Sequence, residues 1–407
     1  MRSFEWFVAL RYLRDAKGQT VLILAAVAVG VSVIVFLSAL IGGLQTSLID
    51  KTLGSQPHIT LRVPREAPRP LVEATATRAI ARAIQESPQR LRSIDQWPEV
   101  VSAAERRAGV IAASPGITGA GFAVRADAKS PIVVRGVEPE RFVQIIDVRK
   151  RLVAGSFQLE GGDVVIGSKL AANLGVGVGD KLRVSSSEGL EDVVTVRGVF
   201  SVGNQAVDET WLLISLRHAQ ALYALPAGVT AIEVKVADVF SAERFARELA
   251  EVTGLRADSW MTVNAELLAG LSAQSSSKGL IEFFVIVAVA LGIASVLIVS
   301  VVQKSREIGI LRAVGTPRRR ILLVFLIQGG VLGLGGAIVG AGLGAMFAKL
   351  FEGLVRDPSG APRFPIQLEP SLFASSIALA TLVGLVSAVI PARRASRLDP
   401  ATAIRGG

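Results

Sequence analysis

Residues 303–320, QKSREIGILRAVGTPRRR, decide how the rest of the chain is read. The stretch lies between two uncharged runs, 283–302 and 321–348, each long enough to cross a bilayer as a helix. The joining loop holds six positive charges, Lys304, Arg306, Arg312, Arg318, Arg319 and Arg320, and one negative, Glu307. Lys and Arg collect in short cytoplasmic loops, which assigns this one to the cytoplasm. The loop is also patterned. Ile308, Leu311 and Arg312 recur at i, i+3 and i+4, one face of a short helix. Gly315 then breaks the chain, Thr316 can cap, and Pro317 suits the first position of a second helix. A short helix held between two spans is positioned to receive a push from a soluble partner. An ordinary basic loop that fixes topology is the plainer reading, and the pattern alone leaves both open.

Working outward, two more windows lack any charge, 21–41 and 371–390. The 407 residues are 51% hydrophobic and 19% charged, with mean hydropathy +0.51, too apolar for an average soluble protein. Four uncharged windows of at least about 20 residues, each matching a ~30 Å hydrocarbon core, give a membrane protein with four spans. Residues 1–18, 303–320 and 391–407 together carry fourteen basic and four acidic residues, the whole net charge of +10. Residues 42–282 hold 27 of each sign and 349–370 three of each. Both termini and the central loop are therefore expected in the cytoplasm, with 42–282 and 349–370 on the far side. The pI near 10.3 is then a topology signal and not a nucleic-acid footprint. With no cysteine, the outer segment relies on packing and not on disulfides. Residues 1–41 have too long an apolar run for a secretory signal and no clear A-x-A site, and read as an uncleaved first span.

Along the chain, Phe4, Phe7 and Val8 with Arg11 and Arg14 suit an interfacial helix, or a cytoplasmic extension of the first span. The polar stretch after 41 continues as helix and turns at Gly54 and Pro57 into a strand. A Pro-rich stretch at 64–70 leads to a helical segment near 71–87, with Ile80 and Ile84 four apart. Val- and Ile-rich runs at 132–137, 164–166, 181–185, 193–200, 211–214 and 231–236 predict strands. Helices are expected at 167–174, 216–224 and 241–252, making a mixed α+β outer domain. Residues 262–279 read as a polar helix into the second span, with Glu282 a structural group at its outer end. The third span has small-xxx-small spacing at Gly329/Gly333 and at Gly336/Gly340/Gly344. Such positions let two backbones approach closely in lipid, within the chain or between subunits. Gln328 is expected to hydrogen-bond between helices, and the fourth span to end at Pro391.

Catalytic chemistry is not evident. The two histidines, His58 and His218, are far apart, and no cysteine joins them, which argues against a metal or heme site. GVGVGDK at 175–181 lacks the Gly-Lys-Ser/Thr end of a phosphate loop and reads as a turn; no G-x-S-x-G occurs. The carboxylate pairs Glu191–Asp192 and Asp208–Glu209 read as solvated surface. The chain is expected to bind no cofactor and not to be an enzyme.

KSREIGILRAVGTPRRRILLVFLIQG at 304–329 resembles the central cytoplasmic loop of the FtsX/MacB-like (type VII) ABC transporter permeases. LRYLRDAKGQ and LQTSLIDKTLGSQPHITL, within 10–61, resemble the lipoprotein-releasing permeases of the LolC/LolE type. VVIGSKLAANLGVGVGDKLRV (164–184), VRGVFSVGNQAVDETWLLISLRHAQAL (196–222) and WMTVNAELLAGL (260–271) are similar to the family's periplasmic core domain. The resemblance implies a membrane α-helical fold with four transmembrane helices and a large α+β extracytoplasmic domain, Porter- and Sabre-like, between helices 1 and 2. The expected division is an N-terminal interfacial helix at 1–18, TM1 at 19–44, the periplasmic domain at 45–278, TM2 at 279–302 and a coupling loop at 303–320. It continues with TM3 at 321–348, a periplasmic loop at 349–370, TM4 at 371–391 and a cytoplasmic tail at 392–407; the Sabre-like insertion falls about 115–215.

Further implications concern function. The resemblance implies a permease subunit of the bacterial inner membrane, homodimeric or heterodimeric with a second permease, working with two copies of an ATPase subunit. ATP and Mg would be used by that ATPase, and hydrolysis would move the periplasmic domains by mechanotransmission. Glu307, Ile308, Leu311, Arg312 and Gly315 would make the ATPase contact. The expected cargo is lipid-linked or amphiphilic, with lipoprotein release first and MacB-like efflux of drugs, peptides or toxins second. A periplasmic chaperone or adaptor is a further expected partner. A signalling scaffold that activates a periplasmic partner without transport is the rival of another class, and no stretch resembles the chaperone-binding loop of the lipoprotein-releasing permeases.

Overall fold

The computed structural model describes residues 3–54, 56–64, 91–356, 362, 366 and 368–398. The helix expected at 71–87, much of the 349–370 loop and the basic tail beyond 398 lie outside the described residues. Two compact units emerge, residues 49–268 as one, and 1–48 together with 269–407 as the other.

The chain opens with α1 (Ser3–Asp15) and α2 (Lys17–Leu53). The α+β unit follows with β1 (Ile59–Arg62), α3 (Trp97–Glu105), β2 (Val110–Arg125), β3 (Ala128–Val137) and α4 (Pro139–Ile145). Next come β4 (Leu152–Gly155), β5 (Asp163–Gly167), α5 (Ser168–Leu174), β6 (Lys181–Ser186) and β7 (Glu191–Phe200). It closes with α6 (Gln205–Thr210), β8 (Trp211–Ser215), α7 (Leu216–Leu222), β9 (Ala231–Val236), α8 (Ala242–Thr253), β10 (Arg256–Ser259) and α9 (Trp260–Val263). Then come α10 (Ala265–Gln303), α11 (Ser305–Ala313), α12 (Arg318–Leu354) and α13 (Pro370–Ser396).

Among the described residues, α2, α10, α12 and α13 are long and apolar enough to cross a membrane. The first is rich in Val and Ile, residues that favour strands in water. In lipid an unpaired backbone group costs several kcal/mol, so the helix, which satisfies its own amides, overrides that preference. The helix of the fourth span does not break at Pro391, where the span was expected to end. The helix runs through it to Ser396, because Pro391, Ala392 and Ala395 are buried and the two alanines pack with Ile308, Ile321 and Phe325. That packing offsets the one backbone hydrogen bond the proline removes.

In the α+β unit, the sheet order among the described residues is β10-β1-β9-β2-β3-β8-β5-β7-β4. β6 pairs with both β2 and β7, so β2, β3, β8, β5, β7 and β6 form a closed cycle that removes their free edges. One core, with Ile59, Leu61, Ile117, Ile166, Leu249 and Trp260, lies under α3, α5, α7 and α8. A second gathers Phe142, Ile145, Val165, Phe200 and Leu213 beneath α4 and α6.

β2 was not expected, nor were α3, α4 and α6. Sixteen residues long, β2 pairs first with β9 and then with β3 and β6, joining the two halves of the sheet. Its sequence, VIAASPGITGAGFAVR, looks like loop because of Gly119 and Gly121. A Cβ at Gly119 would strike the Tyr223 ring, and one at Gly121 would lie 2.5 Å from the Ser185 carbonyl oxygen. The glycines are there for close approach. Asp208 is also a correction. It sits buried in α6 and accepts hydrogen bonds from Ser201 Oγ at 2.7 Å and the Val202 amide at 2.9 Å. It therefore fixes the chain between β7 and α6 and is not solvated surface.

Candidate functional site

The stretch 303–320 forms α11 and the turn into α12. Its end is a Schellman motif: the Thr316 amide donates to Leu311 O at 3.0 Å and the Gly315 amide to Arg312 O at 3.1 Å. Gly315 takes φ +96°, which a side chain would resist. Thr316 thus closes α11 and does not cap α12; Pro317 stands at the cap position and α12 begins at Arg318.

The helix has two faces. Ile308 is 1% exposed, seated among Val301, Ile321, Phe325, Ala392 and Ala395, with Leu311 packed beside it. Arg312 is half-buried and its Nη1 donates to Thr316 O at 3.5 Å. So the i, i+3, i+4 face read from the sequence is the face turned toward the span ends. On the other side Arg306, Glu307, Ile310 and Val314 are exposed, Val314 at 84%. Ile310 and Val314 are four apart, on the face opposite Ile308, and that spacing was the available signal for them.

α11 is also tied to α1. Lys304 Nζ reaches Glu307 Oε1 at 2.8 Å and Asp15 Oδ2 at 3.5 Å, and lies 5.4 Å from the centre of the Tyr12 ring. Burial, then the neighbouring Glu307 carboxylate, pushes the Tyr12 hydroxyl up to about 12. Arg320 Nε lies 3.5 Å from Glu5, and Gln328 donates to the Ala9 carbonyl at 3.5 Å. Sequence reasoning missed this brace, since nothing in α1 marks Tyr12 or Asp15 as a partner.

The third span's glycines divide between two neighbours. A Cβ at Gly329 would strike Gly384 O of α13, and one at Gly333 would lie 2.7 Å from Ala380 O. A Cβ at Gly336 would lie 2.6 Å from Val27 Cβ of α2, at Gly340 2.5 Å from Ala28 O, and at Gly344 2.9 Å from Ser32 O. All five serve packing within the chain. Glu282 of α10 accepts from Ser38 Oγ of α2 at 2.8 Å and faces Lys278 Nζ at 3.5 Å.

His58 and His218 stay apart in the α+β unit. His218 Nε2 lies 2.7 Å from Asp192 Oδ2 and its Nδ1 3.0 Å from Gly161 O, while Glu209 accepts from Gln205 at 2.7 Å.

Comparison with known proteins follows this division. Residues 20–252 match the family described as MacB-like periplasmic core domain, and 279–400 match FtsX-like permease C-terminal. The chain is 24% identical over 439 residues to the lipoprotein-releasing system transmembrane protein LolC of Neisseria meningitidis serogroup B, covering 100% of both. It is 25% identical over 432 residues to that of Xylella fastidiosa strain 9a5c, covering 98% of both. The solved periplasmic region of MacB from Actinobacillus actinomycetemcomitans aligns with TM-score 0.35 and 13% identity, covering 54% of this chain and 95% of that one. With the core-domain match alone spanning more than half the chain, the protein belongs to the FtsX/MacB-like family of ABC transporter permeases.

Proposed function

We propose that this permease is driven by a separate ATPase that docks on the outward face of α11. The observation that carries the reading is the two-sided build of that helix. Ile308 and Leu311 are held against the span ends, while Ile310 and Val314 stand exposed beside Arg306 and Glu307. Apolar side chains rimmed by charge suit a protein interface. In this reading Glu307, Ile310, Val314 and Gly315 meet the ATPase, and Ile308, Leu311 and Arg312 pass its push to α10 and α12. The Lys/Arg bias supports a cytoplasmic location for α11 and both termini, and a periplasmic one for the α+β domain.

Two ATPase copies and a second permease, identical or related, complete the assembly. ATP and Mg belong to the ATPase; this chain binds no cofactor. Similarity to LolC proteins along the whole chain supports lipoprotein release, or extraction of another lipid-linked or amphiphilic cargo. The MacB-like description of the core domain favours efflux of a drug, peptide or toxin as the second reading.

Affinity purification of the tagged chain from native membranes in mild detergent, with mass spectrometry, tests this. An ATPase subunit should come along. A lipoprotein carrier beside it would select release, and an adaptor would select efflux. A periplasmic protein in stoichiometric amount without any ATPase would overturn the transport reading in favour of a scaffold. The double variant Ile310→Ser with Val314→Ser should insert normally and lose the ATPase; full retention would refute the docking face.

A further inference from the structure

The α+β unit contains a cavity of about 270 Å³ on the face of the sheet opposite its main core. Strand alternation builds it. Ile59 and Leu61 of β1 point into the core, so Thr60 and Arg62 point the other way, into the cavity. Pairing register then lines up Asp258, Thr60 and Glu233 across β10, β1 and β9, and Thr118 beside Arg135 across β2 and β3.

Its floor is an ion pair. Arg135 Nη2 donates to Glu233 Oε1, and the guanidinium lies 4.2 Å from the centre of the Trp211 ring. Only 7% and 8% of the two side chains are exposed. Desolvating two charges costs several kcal/mol each, and an apolar pair of similar volume would pin the strands as well. Yet the pair is not sealed over, because both residues line the cavity. One guanidinium edge and one carboxylate edge thus stand side by side at the bottom of a pocket. Arg62 and Asp258 repeat the same two signs in its wall, where Asp258 Oδ1 also accepts from Arg256 Nε at 2.9 Å. Among the lining residues positive and negative charges balance. A bare anion would stand against the Glu233 carboxylate and a bare cation against the Arg135 guanidinium, whereas a ligand carrying both signs matches both.

We propose that this cavity binds a zwitterionic group, an ammonium together with a phosphate or carboxylate. The anion meets Arg135 and Arg62, and the ammonium meets Glu233 and Asp258. The volume is at the small end for ligand sites, which fits a headgroup or a single amino acid and not a larger molecule. This site is separate from α11 and does not depend on how the chain is driven.

The test is calorimetric titration of the full-length protein in detergent with four probes. Glycerophosphoethanolamine represents a lipid headgroup and L-alanine a free amino acid. Glycerol phosphate and ethanolamine carry the two charges singly. At least one zwitterion should bind, and more tightly than either single-charge probe; which of the two binds identifies the source. Arg62→Gln, at an exposed position, should weaken that binding at least about tenfold, the worth of one charge-assisted hydrogen bond, and Asp258→Asn should do the same. No binding by either zwitterion, or equal binding by glycerol phosphate alone, would overturn the proposal and leave the ion pair a strand pin. Unchanged affinity in both variants would overturn it too.

Discussion

At the residue scale, His58 carries a testable consequence of burial. Its ring is buried between β1 and β9, with Nδ1 3.2 Å from the Val236 amide nitrogen and 3.1 Å from its carbonyl. Burial, and after it the Lys235 ammonium, hold its pKa below 6.5, outweighing the contact with Val236. A group whose folded pKa lies below its unfolded value binds fewer protons when folded. Its contribution to stability is therefore complete above pH 6.5 and is lost as the pH falls below it. Glu243, held below 4.5 by hydrogen bonds from Ser259 and Thr262, titrates lower and does not share that window. The thermal midpoint of the α+β unit should fall between pH 6.5 and about 5, and His58→Gln should flatten that fall even if it lowers the midpoint overall. Circular dichroism melts of both proteins across the range decide it; equal slopes would show that the ring is not protonated differently in the two states.

At the element scale, α12 is a helix with two partners. Gly329 and Gly333 in its N-terminal half admit α13, and Gly336, Gly340 and Gly344 further along admit α2. The exposed Gly342, on the same helix, has no atom within 4 Å of an added Cβ. Gly340→Ile should therefore push α2 away and cost about 1–3 kcal/mol, the usual penalty of overpacking, while Gly342→Ile should be nearly silent. Melting of the two variants in detergent is the measurement, and equal midpoints would show the glycines to be incidental. The sequence revealed that these glycines pack but not against what, because small-xxx-small spacing looks the same toward a helix of the same chain or another. The same limit applies to α11. Its amphipathic face was plain from Ile308 and Leu311, but periodicity cannot say whether such a face meets a partner or the chain's own spans. Strand signals succeeded where Val and Ile dominate, as in β9, and failed in β2. There the tight approach of Tyr223 and β6 demands glycine, and glycine reads as loop. Pro391 misled for a related reason: burial of the last turn of α13 outweighs a breaker's local cost.

At the scale of the whole molecule, charge and structure divide the chain in the same places. The excess of positive residues lies wholly in 1–18, 303–320 and 391–407, and the α+β unit between the first two long helices is neutral. Orientation follows from the cost of moving Lys and Arg across the bilayer, so it should persist whatever the cargo. The natural absence of cysteine gives a clean background for measuring it. Glu188→Cys, exposed in the turn between β6 and β7, should react with a membrane-impermeant maleimide in intact spheroplasts. Ala313→Cys, exposed at the end of α11, should react only after lysis. Labelling of Ala313→Cys in intact cells would reverse the orientation and remove α11 from the reach of any cytoplasmic ATPase. Protection of both sites would instead mean that the exposed face of α11 is already covered by a partner in the membrane. Repeating the lysed reaction with the purified chain separates that case, since the cysteine should then become reactive as the partner is lost.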